Sequence, residues 1–326
     1  MLELAAFAGT AAMVGRGGAI KAQPATRIEK LDPALDAIID TSQPLRRLAE
    51  GFGGPGGPAE GPVWWAEGGY LIFSDINTNR RIKYTPGQGT SVAATYTNRG
   101  NGNTRDRQGR LVFCEADARR VTRVENDGSM TVIAGGYQGK QLGRPNDVVV
   151  KTNGDIYFTD PQGGATGEPW AVTSPGVYRV SADLGTIVLL TDQLFAPNGL
   201  AFSPDESVLY ICDSQRRNIR AFDVAANGNL VKRTDRVFVD LNGRESGVPD
   251  GMKVDTSGNV FSGGSGGLYI IDKAGKKLGR IVHGGPNTTN IAFGGADWKT
   301  LYFTSGTFLA SVNVKIAGMP VPAKKA

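Results

Sequence analysis

One kind of polar residue recurs six times in this chain, always ten or eleven residues before a short β-rich segment. All six carry a side-chain oxygen that can accept a hydrogen bond or bind a metal: Glu60, Asn101, Asn146, Asn198, Asp250 and Asn290. If the six side chains point at one axis, they form a ring of oxygen ligands with mixed charge. Such ligands suit a hard divalent cation, Ca²⁺ first and then Mg²⁺ or Mn²⁺.

Turn formation is the alternative explanation, since Asn and Asp often cap turns before strands. It accounts for any one of these residues, but it requires neither a glutamate at position 60 nor a common orientation. Without a ligand, Glu60 and Asp250 would repel each other and lose hydration in such a ring. A bound cation removes that conflict, and a ring with few protein ligands leaves coordination positions open for catalysis.

Six short strands must position this ring, and their first residues are 40 to 53 residues apart. They cover residues 71–75, 111–115, 156–160, 209–213, 260–264 and 301–305. A period of about 40–50 residues in an all-β chain is typical of propeller blades. The chain is therefore predicted to be an all-β, six-bladed β-propeller with four-stranded blades. Two stacked sandwiches, the rival all-β fold, do not predict so even a repeat.

Closure of the propeller is assigned to an N-terminal strand. Residues 45–52 have a strand-like pattern and are predicted to join the last blade beside residues 308–314, which hides a sheet edge. The propeller is expected to span residues 45–314, after an extension at 26–44 and before a tail at 315–326. Cys114 and Cys212 occupy the same strand position in non-adjacent blades, so both are expected to be buried free thiols.

Composition excludes several classes of function. The chain has two cysteines, one histidine and no CxxC motif, so it lacks the ligands of a Cys/His zinc site. No basic block with interleaved aromatic residues indicates nucleic-acid binding, and no apolar stretch reaches the ~20 residues of a membrane span. The expected partner is a small molecule, and the expected oligomeric state is a monomer or a weak dimer.

The N-terminus suggests export. Residues 4–14 are apolar and rich in small side chains, as in the central part of a signal peptide, although no basic residue precedes them. Residues 1–25 are therefore interpreted as an export signal or its remnant, which predicts a periplasmic or secreted protein. A frayed helix on a cytoplasmic protein is the alternative.

Four motifs resemble those of one known family. They are Ala-Glu-Gly-Pro-Val-Trp at 59–64, Gly-Arg-Pro-Asn-Asp at 143–147, Pro-Asn-Gly-Leu at 197–200 and Pro-Asp-Gly-Met at 249–252. In combination they make residues 45–314 similar to the SMP-30/gluconolactonase/luciferin-regenerating-enzyme family of six-bladed propeller lactonases. The resemblance implies that Glu60, Asn198 and Asp250 bind the metal, and that Asn146 binds the metal or touches the substrate.

The same resemblance implies one divalent cation, calcium first, with magnesium, manganese or zinc as alternatives. It also implies that Arg144 contacts the substrate, and Asn101 is grouped with it as a substrate-binding residue. One departure concerns the second blade, where family members often have Cys-Glu-His-Gly and this chain has Cys-Glu-Ala-Asp at 114–117. The missing histidine leaves the identity of the substrate open.

The predicted reaction is the metal-dependent opening of a sugar lactone to its aldonic acid. Asp250 is the candidate general base, while Arg144 and Asn146 orient the sugar. Trp170 lies in a long loop at residues 162–175, and such loops often form pocket walls. A phosphotriesterase or broad esterase on the same metal, and a non-catalytic binding propeller, are the alternatives. Asp147 and Asp160 are left open between supporting the site and forming turns.

Overall fold

Short apolar runs separated by Gly, Asp and Asn turns form almost all of the regular structure. The computed structural model describes residues 26–163 and 167–322. These residues form 27 β-strands, numbered here along the chain, and two short 3₁₀ helices at Pro33–Ala37 and Lys232–Thr234. Within this part of the chain no helix is both long and apolar enough to span a membrane. The predicted export signal at residues 1–25 lies outside the described residues.

All but two of these strands group into six antiparallel sheets, which are the blades. Two N-terminal strands, β1 (Arg27–Lys30) and β2 (Arg46–Glu50), come first in the chain. Blade 1 contains β3 (Ala59–Trp65), β4 (Tyr70–Asp75), β5 (Arg80–Thr85) and β6 (Gly89–Thr95). Blade 2 contains β7 (Gly100–Arg105), β8 (Leu111–Glu115), β9 (Arg120–Val124) and β10 (Met130–Ala134).

A small hairpin separates blades 2 and 3, formed by β11 (Gly136–Tyr137) and β12 (Lys140–Gln141). Blade 3 contains β13 (Val148–Val150), β14 (Ile156–Asp160), β15 (Gly176–Val180) and β16 (Ile187–Thr191). Blade 4 contains β17 (Pro197–Phe202), β18 (Val208–Asp213), β19 (Asn218–Asp223) and β20 (Arg236–Asp240).

Blade 5 again has four consecutive strands, whereas blade 6 has three. Blade 5 contains β21 (Met252–Val254), β22 (Val260–Gly264), β23 (Gly267–Ile271) and β24 (Lys277–Val282). Blade 6 contains β25 (Asn290–Gly294), β26 (Thr300–Ser305) and β27 (Phe308–Asn313). The six strands predicted from the repeat are the second strands of the blades, so the predicted six-bladed propeller is confirmed.

The fourth strand of blade 6 comes from the N-terminal part of the chain. Strand β2 pairs antiparallel with β27, with Arg46 opposite Ser311 and Glu50 opposite Phe308. A single sheet therefore joins the two ends of the ring, as the strand pattern of residues 45–52 predicted. The pairing also covers the edge of β27, which would otherwise be open to another chain.

The sequence pattern gave no indication of a fifth strand in blade 5. Strand β1 pairs antiparallel with β24, and Arg280 makes a 2.7 Å ion pair with Glu29 across the two strands. The buried side chains of Ile28 and Leu35 extend the apolar cluster around Leu278. Residues of the predicted N-terminal extension thus cover the outer edge of this blade.

The core lies between the blades, where apolar side chains of neighbouring sheets meet. Cys114 and Cys212 are both buried and free, as predicted. Residues 315–322 follow the last strand. The N–H of Met319 donates to the carbonyl of Val254 in blade 5 at 3.0 Å, and Val321 packs against the apolar cluster of blades 1 and 2. The innermost strands, β3, β7, β13, β17, β21 and β25, are left to line the central channel.

Candidate active site

The six recurrent polar residues all lie where an innermost strand begins. Four are within the first two residues of β3, β7, β17 and β25, and the other two are two residues ahead of β13 and β21. Glu60, Asp250 and Asn290 are buried, whereas Asn101, Asn146 and Asn198 are partly exposed. The fold therefore brings one of these residues from every blade to the same end of the channel, which is called the ring end below.

Glycine follows four of these six residues and brings neighbouring blades together. The four glycines are Gly61, Gly102, Gly199 and Gly251. A Cβ atom at Gly199 would lie 2.3 Å from the carbonyl oxygen of Asp250, and one at Gly251 would lie 2.0 Å from Cγ of Asn290. At these four positions, the glycine packs against the recurrent polar residue of the next blade or the residue after it.

Substitution of Gly199 by alanine is expected to destabilise the protein by about 1–3 kcal/mol, because the new methyl group would overlap the backbone of Asp250. The matched control is Gly135→Ala, where the nearest atom to a new Cβ is 3.8 Å away. Denaturant unfolding of both variants measures the difference. Equal stability of the two variants would contradict the close approach of these strands.

Three carboxyl groups meet in the channel, from Glu60, Asp147 and Asp250. Burial raises the pKa of Glu60 to about 8, and the charge of Asp147 contributes to the increase. Burial also raises the pKa of Asp147 and Asp250, and the charge of Glu60 raises the pKa of Asp250 further. The ionised forms of these groups destabilise one another unless a positive charge lies between them.

Lys253 supplies one positive charge in the same channel. Its Nζ donates to the carbonyl of Met252 at 3.0 Å and to Oδ1 of Asn290 at 3.4 Å. The ammonium lowers the pKa of Glu60 and of Asp147, which opposes part of the effect of burial. Three carboxylates and one ammonium leave two negative charges when all four groups are ionised, and a divalent cation balances that charge.

Amide oxygens complete the set of possible ligands. Within residues 26–163 and 167–322, the buried Oδ1 atoms of Asn101 and Asn198 have no hydrogen-bond donor. A buried acceptor without a donor is costly, so these oxygens are suited to an electropositive partner. No group of three His, Cys, Asp or Glu side chains in the described chain has the geometry of a metal site by itself. The residues therefore fit a hard cation held by carboxylates and amides together.

The predicted substrate-binding residues Arg144 and Trp170 lie outside this carboxylate cluster. Nη2 of Arg144 donates to Oδ1 of Asp117 at 2.8 Å, and both side chains are about 40% exposed, at 41% and 43%. Trp170 is exposed, with the guanidinium of Arg119 5.0 Å from its ring centre. The turn with Asp117 follows β8, whose end pairs with the start of β7, so this ion pair lies at the ring end of the channel.

Asp160 has a local supporting role. Its carboxylate accepts the backbone N–H groups of Gly143 and Arg144, both at 2.6 Å, and so fixes the segment before Asn146. His283 is buried between Thr288 and Ser305, and burial lowers its pKa to about 4.

Known proteins of one family resemble this chain in sequence and in structure. Residues 58–307 match the sequence model of the SMP-30/gluconolactonase/LRE-like region. The chain belongs to this family. A gluconolactonase of Zymomonas mobilis is 32% identical, over 98% of this chain and 96% of its own length. A pentonolactonase of Haloferax volcanii is 28% identical over 76% of this chain and 80% of its own.

Solved structures agree with this membership of the SMP-30/gluconolactonase family. A gluconolactonase from Xanthomonas campestris has a TM-score of 0.78 at 31% identity, covering 90% of this chain and 96% of its own. A luciferin-regenerating enzyme has a TM-score of 0.69 at 20% identity, covering 87% of this chain and 99% of its own, and shares the fold. The family resemblance inferred from the four motifs is confirmed.

The sequence left Asp147 open between supporting the site and forming a turn, and it did not indicate Lys253 at all, although both lie in the channel. A sequence signal for Asp147 existed, because it occupies the position after a ring residue that is glycine in four other blades. Lys253 has no such signal. Its position follows from the packing of β21 beside β25, which brings its Nζ to within 3.4 Å of Oδ1 of Asn290.

Proposed function

We propose that this protein is a divalent-metal-dependent hydrolase that opens a sugar lactone to its aldonic acid. The observation that supports it most is the cluster of Glu60, Asp147 and Asp250, in which the ammonium of Lys253 acts on Glu60 and Asp147 and amide oxygens of the described residues lack donors. The gluconolactonase of Zymomonas mobilis, which matches nearly the full length, supports the sugar lactone as substrate.

Glu60, Asn198 and Asp250 are the proposed metal ligands, with Asn146 as a fourth ligand or a contact to the substrate. All four offer side-chain oxygens, and a divalent cation would balance the two net negative charges of the ionised channel groups. Calcium is the best match for such ligands. When bound, the cation would polarise the ester carbonyl, stabilise the negative charge that develops on its oxygen and lower the pKa of a water molecule.

Asp250 is the proposed general base. Its Oδ2 accepts a 2.8 Å hydrogen bond from Nδ2 of Asn287, and the amide of Asn198 also donates to the carboxylate. These two bonds fix the plane of the carboxylate, which is needed for a base to accept the proton of an attacking water in one direction. The protonated carboxyl group can then return the proton to the ring oxygen that leaves.

Arg144, Asn146, Asn101 and Trp170 are the proposed contacts to the sugar. The amides of Asn101 and Asn146 are partly exposed at the ring end of the channel, where they can donate to hydroxyl groups. Arg144 and Trp170 lie farther out, and an exposed aromatic ring next to a cation suits the apolar face of a sugar.

Substitution of Asp117 by asparagine is expected to lower KM for the lactone about two- to tenfold with little change in kcat. The aspartate competes with the substrate for the guanidinium of Arg144, and the loss of an exposed ion pair costs at most about 1 kcal/mol of stability. The control is Asp223→Asn, which breaks an equally exposed pair with Arg236. Steady-state kinetics in which both variants match the wild type would exclude a role for this pair in substrate binding.

A direct assay separates the proposed reaction from its alternatives. The purified protein is stripped of metal, supplied with Ca²⁺, Mg²⁺, Mn²⁺ or Zn²⁺ and tested by a pH-indicator assay on glucono- and xylonolactones and on a phosphotriester. The proposal expects metal-dependent lactone opening well above the phosphotriester rate. Preferential hydrolysis of the phosphotriester would favour the broad esterase, and failure to hydrolyse either compound with any metal would favour a binding propeller.

A further inference from the structure

The interface between blades 1 and 2 is filled less completely than the others. Its apolar cluster in the described structure contains four buried residues, whereas the other clusters contain nine to seventeen. A cavity of about 520 Å³ lies there instead. The outer strand β6 has the sequence Gly-Thr-Ser-Val-Ala-Ala-Thr, and the small side chains of Ala93 and Ala94 leave this space open. Its volume is in the range of a small-molecule pocket.

Arg81 lines this cavity and lacks a full set of partners. Its side chain lies on β5 and the residue is 7% exposed. Nε donates to Oδ1 of Asn103 at 3.3 Å, and the guanidinium carbon is 4.2 Å from the centre of the Phe113 ring. Nη2 is buried and has no hydrogen-bond partner among the residues that the structure describes. Such a group favours an acceptor that brings negative charge.

The other charged side chains along the cavity already have counter-charges. Glu115 is paired with Arg120, and Glu125 is paired with Arg110. The charge of Glu115 favours the ionised form of Arg81 from a distance, but Glu115 is hydrogen-bonded to Arg120, and no carboxylate of the described residues forms an ion pair with Arg81. Burial lowers the pKa of its guanidinium to about 10.

Aromatic side chains form the walls around this charge. Trp65 and Tyr70 are stacked with ring centres 6.0 Å apart, and both line the cavity together with Phe113. Met130, at the outer end, is exposed and adds a flexible apolar surface. An aldonic acid carries a hydroxyl on nearly every carbon and would leave those groups unpaired against these walls. A ligand with a flat apolar body is a better match.

We propose that the cleft between blades 1 and 2 is a second binding site, separate from the central channel, for a small aromatic carboxylate. The carboxylate accepts hydrogen bonds from the guanidinium of Arg81, and the ring lies among Trp65, Tyr70 and Phe113. The proposal is independent of the reaction proposed for the channel, since none of these residues belongs to the ring of oxygen ligands.

Benzoate is the probe, and benzamide is its neutral counterpart of nearly the same shape. Saturation-transfer NMR and thermal unfolding are recorded while each compound is titrated, with gluconate as a polar anion. Benzoate is expected to bind and to raise the melting temperature, because it binds the folded state alone. Benzamide and gluconate are expected to bind at least tenfold more weakly. Equal binding of benzoate and benzamide, or no binding of benzoate, would overturn the proposal.

Substitution of Arg81 by methionine is expected to reduce benzoate affinity at least tenfold. The matched control is Arg179→Met, which removes a partly buried guanidinium from the corresponding third strand of blade 3, where Asp155 is its partner. Arg81→Met removes the donor of Oδ1 of Asn103 at 3.3 Å, whereas Arg179→Met removes the ion pair of Asp155, so Arg81→Met is expected to lower the melting temperature less than Arg179→Met does. Wild-type benzoate affinity in Arg81→Met would refute the proposed contact.

A second variant tests the site without altering the charge. Ala94→Leu places a larger side chain in the cavity and keeps Arg81. Its affinity for benzoate is expected to fall at least tenfold. This variant therefore tests the proposed site even if Arg81→Met fails to fold. Undiminished binding in this variant would place the benzoate elsewhere and contradict the proposal.

Discussion

Replacement of Asp250 by asparagine is expected to lower kcat/KM for lactone opening by about 10²–10⁴-fold, the usual contribution of a general base. The carboxylate is buried at the ring end of the channel, with Oδ2 held by Asn287. Asparagine has the same shape but cannot accept a proton from water. The same change removes one negative charge from the proposed cation site, so part of the loss in activity should come from weaker calcium binding. The part that comes from the missing base should persist at saturating calcium.

The fold of the Asp250→Asn variant should be retained. Removal of one of three mutually repelling carboxyl groups relieves strain in the metal-free protein, so its melting temperature in chelator at pH 8 should exceed that of the wild type. Added calcium should then raise it by less. Activity and melting curves with graded Ca²⁺ measure both effects.

The control for this experiment is Asp255→Asn in the same blade. Asp255 is buried and binds the backbone N–H groups of Ser257 and Asn259, which are in a turn away from the ring residues. Its substitution should lower stability without lowering the turnover of the folded enzyme. Wild-type turnover in Asp250→Asn at saturating calcium would exclude Asp250 as the base.

The regular part of the fold was predictable because it repeats. Each blade needs a buried second strand and a turn before it, so the same residue types recur with one period, as at residues 71–75 and 156–160. Strand β1 does not recur in other blades. It joins blade 5 through pairing with β24, more than 240 residues away, and no local pattern encodes such a contact.

Some residues of the candidate site were likewise predictable from the sequence, and others were not. The ring residues were found because they share a type and a phase, as Asn198 and Asp250 do. Asp147 and Lys253 take part through electrostatics, which depends on distance across the channel rather than on spacing in the sequence. The cleft beside Arg81 was not predicted either, because it depends on how the small side chains of Ala93 and Ala94 lie relative to the neighbouring blade.

In the absence of metal, stability is expected to fall as pH rises from 6.5 to 8. The pKa of Glu60 is about 8 in the folded protein and near 4.5 in the unfolded chain. Between these values the folded state binds the extra proton, so raising the pH favours unfolding. Glu60 alone accounts for about 2 kcal/mol over this interval. Asp250 acts in the same direction, because its pKa is raised as well.

The window from pH 6.5 to 8 is chosen because His283 has the opposite effect at lower pH. Burial lowers its pKa from 6.5 to about 4, so its contribution to stability rises between those values and is complete above them. Denaturant unfolding in chelator at each pH measures the trend. Glu60→Gln should reduce the slope and leave the part that is due to Asp250, whereas Glu125→Gln, at a partly buried ion pair with Arg110, should leave the slope unchanged.

Calcium should abolish this dependence on pH. A cation bound to Glu60 and Asp250 stabilises their ionised forms, so the folded state no longer gains a proton, and calcium affinity itself should rise with pH as protons are released. The melting temperature at pH 8 should therefore respond to calcium more strongly than that at pH 6.5. A metal-free protein whose stability is constant or increases from pH 6.5 to 8 would show that the carboxyl groups of the channel are already compensated, and the argument for a divalent cation would fail.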